Sequence, residues 1–316
     1  MASNKLEVSE LDFDDIKSNL KTFLQNQAEF SDYNFEGSGF NILLDLLAYN
    51  THYLGFNANM LANEMYLDSA DIRKNIVSIA KMLGYTPTSP KSPIADISIK
   101  LNNASGASVT MDKGTIFSTT VDGVSYQFLT NEDITISPTN GVYNFSNVSI
   151  YEGTLITFKF TVDTSDPDQK FIIPSELADT TSLKVSVQNS STDSTTAIYQ
   201  KTSGLTSINS TSKVYYLQEN EDARYEVYFG DSVLGKAVED GNIVILEYII
   251  SNKDAANGAS SFALSGTIGG FSDVTITTNS SAQGGSDRQS KESIRFNAPL
   301  QYSAQDRAVT TSDYES

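Results

Sequence analysis

The spacing of apolar residues changes sharply near residue 94 of this chain. Before that point apolar residues recur every three or four positions, as at Ile72, Ile76 and Ile79, which is the period of a helix with one buried face. After it, Ile97, Ile99 and Leu101 alternate with polar residues, which is the period of a half-buried antiparallel strand. The sequence therefore predicts an α+β, multidomain fold that begins with a helical domain.

Three helices are predicted in the first part of the chain. The first covers residues 11–30, and the second follows the glycines of residues 37–39. Apolar residues occupy most of the circumference of the second helix, so we expect it to be buried nearly all round, and Leu47→Asp to break the helical domain. The third is expected to start at Asp68, whose carboxylate can cap it, and to stop at Gly84 as a left-handed C-cap.

From residue 94 the pattern predicts a β-sandwich or a twisted open sheet. Strands are expected at residues 115–119, 126–130, 143–151, 155–162, 171–173, 183–187 and 214–217. Residues 224–230 and 242–250 are expected to pair as a hairpin across a long loop. A helical segment is predicted at about residues 287–297, ending at Pro299.

These elements predict four segments in the chain of 316 residues. The helical docking domain takes residues 1–92, and the main β domain takes residues 93–174 and 223–285. A Ser- and Thr-rich small β subdomain is inserted at residues 175–222. A C-terminal helical region starts at residue 286, and we expect it to be truncated, because Ser312 and Glu315 form a capping signature with no helix behind it.

Composition argues against several classes of partner. The chain has 21 Lys and Arg against 39 Asp and Glu, a formal net charge of -18, which opposes binding to nucleic acid or to an anionic membrane. Without cysteine, neither a disulfide framework nor a thiolate metal site can form. The first 15 residues contain no apolar targeting segment, and the apolar runs are too short to span a bilayer. We therefore expect a soluble protein that is made in the cytoplasm.

The motifs that suggest chemistry are weak, and we predict no catalytic, cofactor or metal site. Residues 230–236 fit a phosphate-loop pattern, but Ala237 replaces the required Ser or Thr and a strand is expected next, not a helix. The single histidine, His52, is interpreted as a packing residue. Asp163, Asp166 and Asp168 are interpreted as a solvated turn and not a calcium site. A catalytic pair of carboxylates, as in a glycoside hydrolase, is not excluded by the sequence, because the distance between two carboxylates depends on the tertiary structure.

Three separated segments resemble one family of structural proteins. The first is the helical block, with Asp32, Tyr33 and Gly37 near its start and Gly84 with Tyr85 at its end. The second resembles an FGD-x-x-x-G hairpin and holds Phe229, Gly230, Asp231 and Gly235. The third runs from Gly284 to Tyr314 and includes Arg307. These segments resemble the baseplate wedge proteins of T-even-like contractile-tailed phages, within the wider baseplate J-like family.

The resemblance implies a non-enzymatic scaffold located in the virion, at the tail baseplate. It implies partners that include further copies of the chain and other baseplate wedge proteins, a ring around a central hub, and a part in the switch to sheath contraction. A β-rich surface or glycan-binding module is the alternative. The residues that the resemblance marks as structural or interface candidates are Asp32, Tyr33, Gly37, Tyr49, Asn50, Asn63, Glu64, Arg73, Gly84, Tyr85, Phe229, Gly230, Asp231, Gly235 and Arg307.

Overall fold

The computed structural model describes residues 12–27, 38–166, 169–202 and 208–304. They form two compact units. One combines the described residues up to Tyr85 with those from Lys291 onward, and the other is Thr86–Ser290. The first unit is helical and the second consists mainly of antiparallel sheets, so the predicted α+β class with an N-terminal helical part is confirmed.

The helical unit contains four described helices. They are α1 (Phe13–Gln25), α2 (Gly39–Glu64), α3 (Arg73–Met82) and α4 (Lys291–Ala304). Asp12 caps α1, because its carboxylate accepts from the backbone N–H groups of Asp14 and Asp15. Ser38 caps α2 by accepting from the N–H of Asn41 at 3.0 Å. Both caps satisfy N–H groups that have no partner inside the helix.

Two predicted helix ends are wrong. α3 begins at Arg73 and not at Asp68, and its N-cap position, Ile72, has no side-chain cap of its own. α4 does not end at Pro299 but continues past it to Ala304. Proline removes one helical N–H but does not force an end where packing holds the helix, and Ala298 is fully buried against the residues of α3.

The β unit contains fifteen described strands. They are β1 (Ile94–Leu101), β2 (Val109–Met111), β3 (Ile116–Val121), β4 (Val124–Thr130), β5 (Ile134–Ile136), β6 (Tyr143–Glu152), β7 (Thr154–Thr161), β8 (Phe171–Ile172), β9 (Ala178–Gln188), β10 (Thr196–Lys201), β11 (Val214–Glu219), β12 (Tyr225–Phe229), β13 (Ile243–Ile250), β14 (Ala263–Ser265) and β15 (Val274–Gln283). A six-stranded sheet has the order β14-β3-β4-β6-β1-β15, a seven-stranded sheet has the order β7-β13-β9-β10-β11-β12-β8, and β2 pairs with β5.

The predicted hairpin between residues 224–230 and 242–250 is wrong. β12 pairs with β11 and β8, whereas β13 pairs with β7 and β9. Residues 175–222 contribute β9, β10 and β11, and these three strands lie between β13 and β12 in the seven-stranded sheet. The strands predicted as a small insertion thus separate the two strands that were predicted to pair.

Each large sheet has its own core. Ile97, Phe117, Phe128 and Phe145 lie in the core of the six-stranded sheet, and Val109 and Met111 of β2 pack into the same cluster. Val185, Val227, Leu246 and Tyr248 lie in the core of the seven-stranded sheet. Buried residues alternate with half-buried or exposed ones along most of these strands, which follows from the two-residue period of a strand. None of the four described helices combines the length and the hydropathy of a transmembrane segment.

Candidate interaction surface

The longest helix, α2, exposes most of its apolar side chains. Its buried residues are Asn41, Leu44, Ala48 and Asn59. Ten large apolar or aromatic side chains of the helix are between 49% and 67% exposed, and we call them the α2 apolar surface: Ile42, Leu43, Leu46, Leu47, Tyr49, Tyr53, Leu54, Phe56, Met60 and Leu61. The expectation that α2 is buried nearly all round is therefore wrong for this chain, and so is the burial of Leu47.

Aromatic rings form the middle of the α2 apolar surface. The ring centroids of Tyr49 and Tyr53 lie 4.6 Å apart, and His52 meets the Tyr53 ring edge-on at 6.0 Å. A hydrogen bond to Tyr53 raises the pKa of Tyr49, with burial adding to it, so the phenol is neutral at physiological pH. Asn50 is exposed beside them. The helix thus presents aromatic faces with neutral polar groups, a composition that is enriched at protein interfaces.

Glu64, the last residue of α2, holds the start of α3. Its carboxylate accepts from the N–H groups of Asp71 at 2.8 Å and Ile72 at 3.2 Å, and from the Asn75 amide at 2.7 Å. Burial by itself raises the pKa of Glu64, but these three hydrogen bonds together hold it below its ordinary value. Glu64 therefore replaces the cap that Asp68 was predicted to supply, and it fixes α2 to α3.

Asn63 and Arg73 lie at the same junction. The side-chain amide of Asn63 donates to the backbone carbonyl of Asn59 at 2.7 Å, and the backbone carbonyl of Asn63 accepts from the Ser69 hydroxyl at 2.7 Å. Arg73 is half-buried as the first residue of α3. Three of the predicted candidates, Asn63, Glu64 and Arg73, are thus brought together where α2 passes to α3.

Gly84 and Tyr85 close the other end of α3. The N–H of Gly84 donates to the carbonyl of Lys81, and the N–H of Tyr85 donates to the carbonyl of Ala80, both at 3.0 Å. Gly84 has φ +77°, so the predicted left-handed cap is confirmed as a Schellman motif. Tyr85 then packs against the cluster of α3 and α4 that contains Ala80.

The Phe229–Gly235 turn lies in the β unit. Asp231 accepts from the N–H groups of Val233 and Leu234 at 3.0 and 2.9 Å, and these bonds lower the pKa of Asp231. A Cβ on Gly230 would lie 2.2 Å from the carbonyl oxygen of Leu234. The glycine is therefore required by a close backbone approach, and the turn leads to β13, as predicted, and not to a helix.

The structure brings together only part of the predicted set. Asp32, Tyr33, Gly37 and Arg307 lie outside the described residues. The prediction missed the aliphatic residues that dominate the α2 apolar surface, such as Leu46, Leu54 and Leu61. Their signal is the high apolar content of the helix, which predicts burial but does not distinguish burial within the chain from burial by a partner. In the described part of the chain, no group of three or more His, Asp or Glu side chains could hold a metal ion.

Comparisons with known proteins identify relatives of this chain. Residues 12–85 match the helical domain of "Baseplate wedge protein gp6-like", and residues 157–259 match the third domain of "Bacteriophage baseplate wedge protein gp6". Over 96% of its length the chain is 30% identical to "Baseplate wedge protein gp6" of Enterobacteria phage T4, of which it covers 49%. The chain therefore spans about half the length of this curated relative.

A chain in a structure described as "Cryo-EM structure of the anti-feeding prophage (AFP) baseplate, 6-fold symmetrised" is also similar. The likeness covers 95% of this chain and 53% of that chain, at 12% identity and a TM-score of 0.30, which is too low to support a structural argument. The family matches cover the helical block and most of the seven-stranded sheet, and all of the described candidates lie within the matched residues. This chain therefore belongs to the gp6-like family of phage baseplate wedge proteins.

Proposed function

We propose that the chain is a structural, non-enzymatic subunit of a phage tail baseplate, and that it docks through the α2 apolar surface. The observation that carries this proposal is the exposure of ten large apolar side chains on one helix. Monomeric soluble proteins rarely expose a contiguous apolar patch of more than a few hundred Å². Such a helix gains stability when a partner covers it.

The chemistry of α2 favours a helical protein partner. Along its 26 residues, only Asp45 and Glu64 are charged, and both have partners within the unit, since Lys17 pairs with Asp45 and Glu64 binds the start of α3. Apart from His52, the remaining polar side chains of the helix are amides and hydroxyls. Aliphatic and aromatic side chains at helical spacing pack into the grooves of another amphipathic helix. We propose further copies of this chain and other baseplate wedge proteins as these partners.

The contacts around the start of α3 connect α2 to the other helices of the unit, so they provide a route by which docking at α2 affects α3 and α4. Glu64 fixes α2 to α3, and Arg295 of α4 donates from Nε to the carbonyl of Leu67 at 3.2 Å and from its guanidinium to the carbonyl of Ala70. Lys291 of α4 pairs with Asp71 at 3.0 Å. A partner that displaced α2 would thus act on the start of α3 and on α4. Different contacts in two ring states would make such a displacement part of the switch to sheath contraction.

The test is a phage whose copy of this gene carries Leu47→Asp, compared with one carrying Ile198→Asp. Both side chains are exposed, at 52% and 67%, but Ile198 lies on β10 in the other unit. We expect the Leu47 variant to accumulate folded protein without assembled baseplates in electron micrographs, and the Ile198 variant to assemble. Normal baseplates in the Leu47 variant would contradict the proposed docking surface.

A further inference from the structure

A second group of side chains lies on the face of β11 and β12 that points away from the sheet's core. Tyr215, Leu217, Tyr225 and Val227 belong to the core. Because side chains alternate along a strand, the residues between them point to the opposite face. The register places Tyr216 against Tyr228 and Gln218 against Glu226, so these four side chains are neighbours: Tyr216, Gln218, Glu226 and Tyr228.

Two oxygens in this group are buried without a hydrogen-bond partner. Glu226 is 8% exposed, and the Gln218 amide donates to its Oε1. Within the described residues, Glu226 Oε2 and the hydroxyl of Tyr216 have no partner. A buried acceptor without a hydrogen-bond partner is unfavourable, and more so when it is charged. A buried carboxylate with one unpaired oxygen thus gains from an added hydrogen-bond donor.

The site opens at the edge of the sheet. β8, the strand outside β12, has only two residues, which pair with Glu226 and Val227. Residues of β8, β11 and β12 line a cavity of about 370 Å³, among them Gln218, Glu226 and Tyr228. Lys170 also lines this cavity, but among the described residues it forms no ion pair with Glu226. The carboxylate therefore borders a space large enough for a side chain.

Next to the carboxylate is an aromatic platform. The rings of Tyr216 and Tyr228 stack with centroids 5.3 Å apart and planes 17° from parallel, and Tyr228 is 42% exposed. Burial raises the pKa of Tyr228, and the charge of Glu226 and the neighbouring Tyr216 raise it further. The phenol therefore stays neutral and adds no second negative charge.

We propose that this site binds a guanidinium group, supplied by an arginine side chain of a partner protein. A guanidinium is planar, carries five N–H donors and stacks on aromatic faces, so it can donate to Glu226 while lying on the Tyr228 ring. An ammonium ion does not match this combination of carboxylate and ring face. The chain's net charge of -18 attracts a basic partner. We propose a protein side chain and not free arginine, because a residue within a chain has no α-carboxylate to be repelled by the net charge of -18.

The inference is independent of the α2 apolar surface, because the site lies in the other unit of the chain. The probes are four compounds: N-acetyl-arginine N-methylamide, its citrulline and lysine counterparts, and free arginine. Each is titrated into the isotope-labelled full chain while amide chemical shifts are followed. We expect saturable shifts around Glu226 and Tyr228 with the capped arginine, at an affinity at least tenfold higher than for the other three.

Two variants and a control accompany the titration. Glu226→Gln keeps the shape and removes the charge, and we expect it to weaken binding of the capped arginine at least tenfold. Tyr228→Leu removes the ring and leaves the buried carboxylate in place. We expect this variant to weaken binding of the capped arginine several-fold, and it keeps the test valid if Glu226→Gln does not fold. Glu221→Gln, at an exposed turn between β11 and β12, should leave binding unchanged.

Three results would overturn the proposal. One is the absence of a saturable shift near Glu226 with the capped arginine. Another is equal binding of the citrulline compound, which would show that the charge is not recognised. The third is binding of free arginine alone, which would exclude a protein side chain as the ligand.

Discussion

The two units of this chain place their apolar residues differently. In the β unit, Phe117, Phe128, Phe145 and Tyr248 are almost completely inaccessible to solvent. In the helical unit, α2 keeps ten large apolar side chains at least about half exposed. The β unit therefore closes its cores with its own strands. The helical unit has a small core between α3 and α4 and a long apolar helix whose burial requires another surface.

The largest effect is expected when a charge is introduced on the buried side of α2, and the same substitution on its exposed side is the comparison. Leu44 is 3% exposed and Leu47 is 52% exposed. We predict that Leu44→Asp lowers the free energy of unfolding of the helical unit by about 4 kcal/mol or more, because it buries an unpaired carboxylate. Leu47→Asp should change it by less than about 0.5 kcal/mol. Urea titration followed by circular dichroism at 222 nm measures both, and an equal loss would mean that Leu47 is buried.

Truncating a core ring should be the next largest effect, and it concerns the β unit. Phe128 is fully buried and meets the Phe262 ring edge-on at 5.0 Å. We predict that Phe128→Ala lowers the free energy of unfolding by about 3–5 kcal/mol, through lost burial and the cavity left behind. Phe158 on β7 is 37% exposed, so Phe158→Ala should cost less than half as much. Near-ultraviolet circular dichroism of the tyrosines reports the transition, and similar losses for both variants would contradict a self-contained core.

The Glu64 cap should give a smaller effect that depends on pH. Glu64→Gln is predicted to lower the free energy of unfolding by about 1–2 kcal/mol at pH 7, since it removes a charged acceptor from the start of α3. Because folding lowers the pKa of Glu64, this stabilisation is present above the ordinary carboxyl pKa. It is lost as the pH falls through the lowered value.

The control is Asp68→Asn, at the exposed position where the sequence predicted the cap. We expect it to have little effect at any pH. Thermal melts of the two variants between pH 3 and pH 7 decide between Glu64 and Asp68. A larger loss for Asp68→Asn would show that Glu64 does not cap α3.

The smallest effect is expected at Gly84. No atom lies within 4 Å of a Cβ built there, so Gly84→Ala costs only backbone strain at φ +77°, about 1 kcal/mol. Gly39, in the first turn of α2, also has open space and no positive φ. Gly39→Ala should be neutral or slightly stabilising. Melting temperatures of the two variants measure this, and a loss at Gly39 equal to that at Gly84 would rule out a strain specific to the cap.

The sequence predicted local structure well and pairing poorly. Alternation at residues 143–151 and 155–162 placed β6 and β7 almost correctly, because a two-residue period is a local property. It could not show that β12 and β13 are separated by β9, β10 and β11. β15 was missed altogether, since its run of Thr, Ser and Asn residues carries few apolar side chains.

The candidate surface was predicted in location but not in character. The helical block was identified as docking surface from its specific residues, yet its apolar side chains were expected to be buried within the chain. The hydropathy of Leu46 and Leu54 predicts that their burial is favourable. It does not predict whether other residues of this chain or a partner protein bury them. Likewise, Glu64 reaches the N–H of Asp71 from seven residues earlier, a distance at which no capping motif is defined.

The most direct measurement is hydroxyl-radical footprinting of α2 in the isolated chain and in purified phage tails that contain it. We predict that Tyr49, Tyr53 and Met60 are modified readily in the isolated chain, where they are about half exposed, and are strongly protected in the tail. Tyr248, which is 1% exposed, should resist modification in both. Equal modification of the three α2 residues before and after assembly would contradict the docking of this helix in the baseplate.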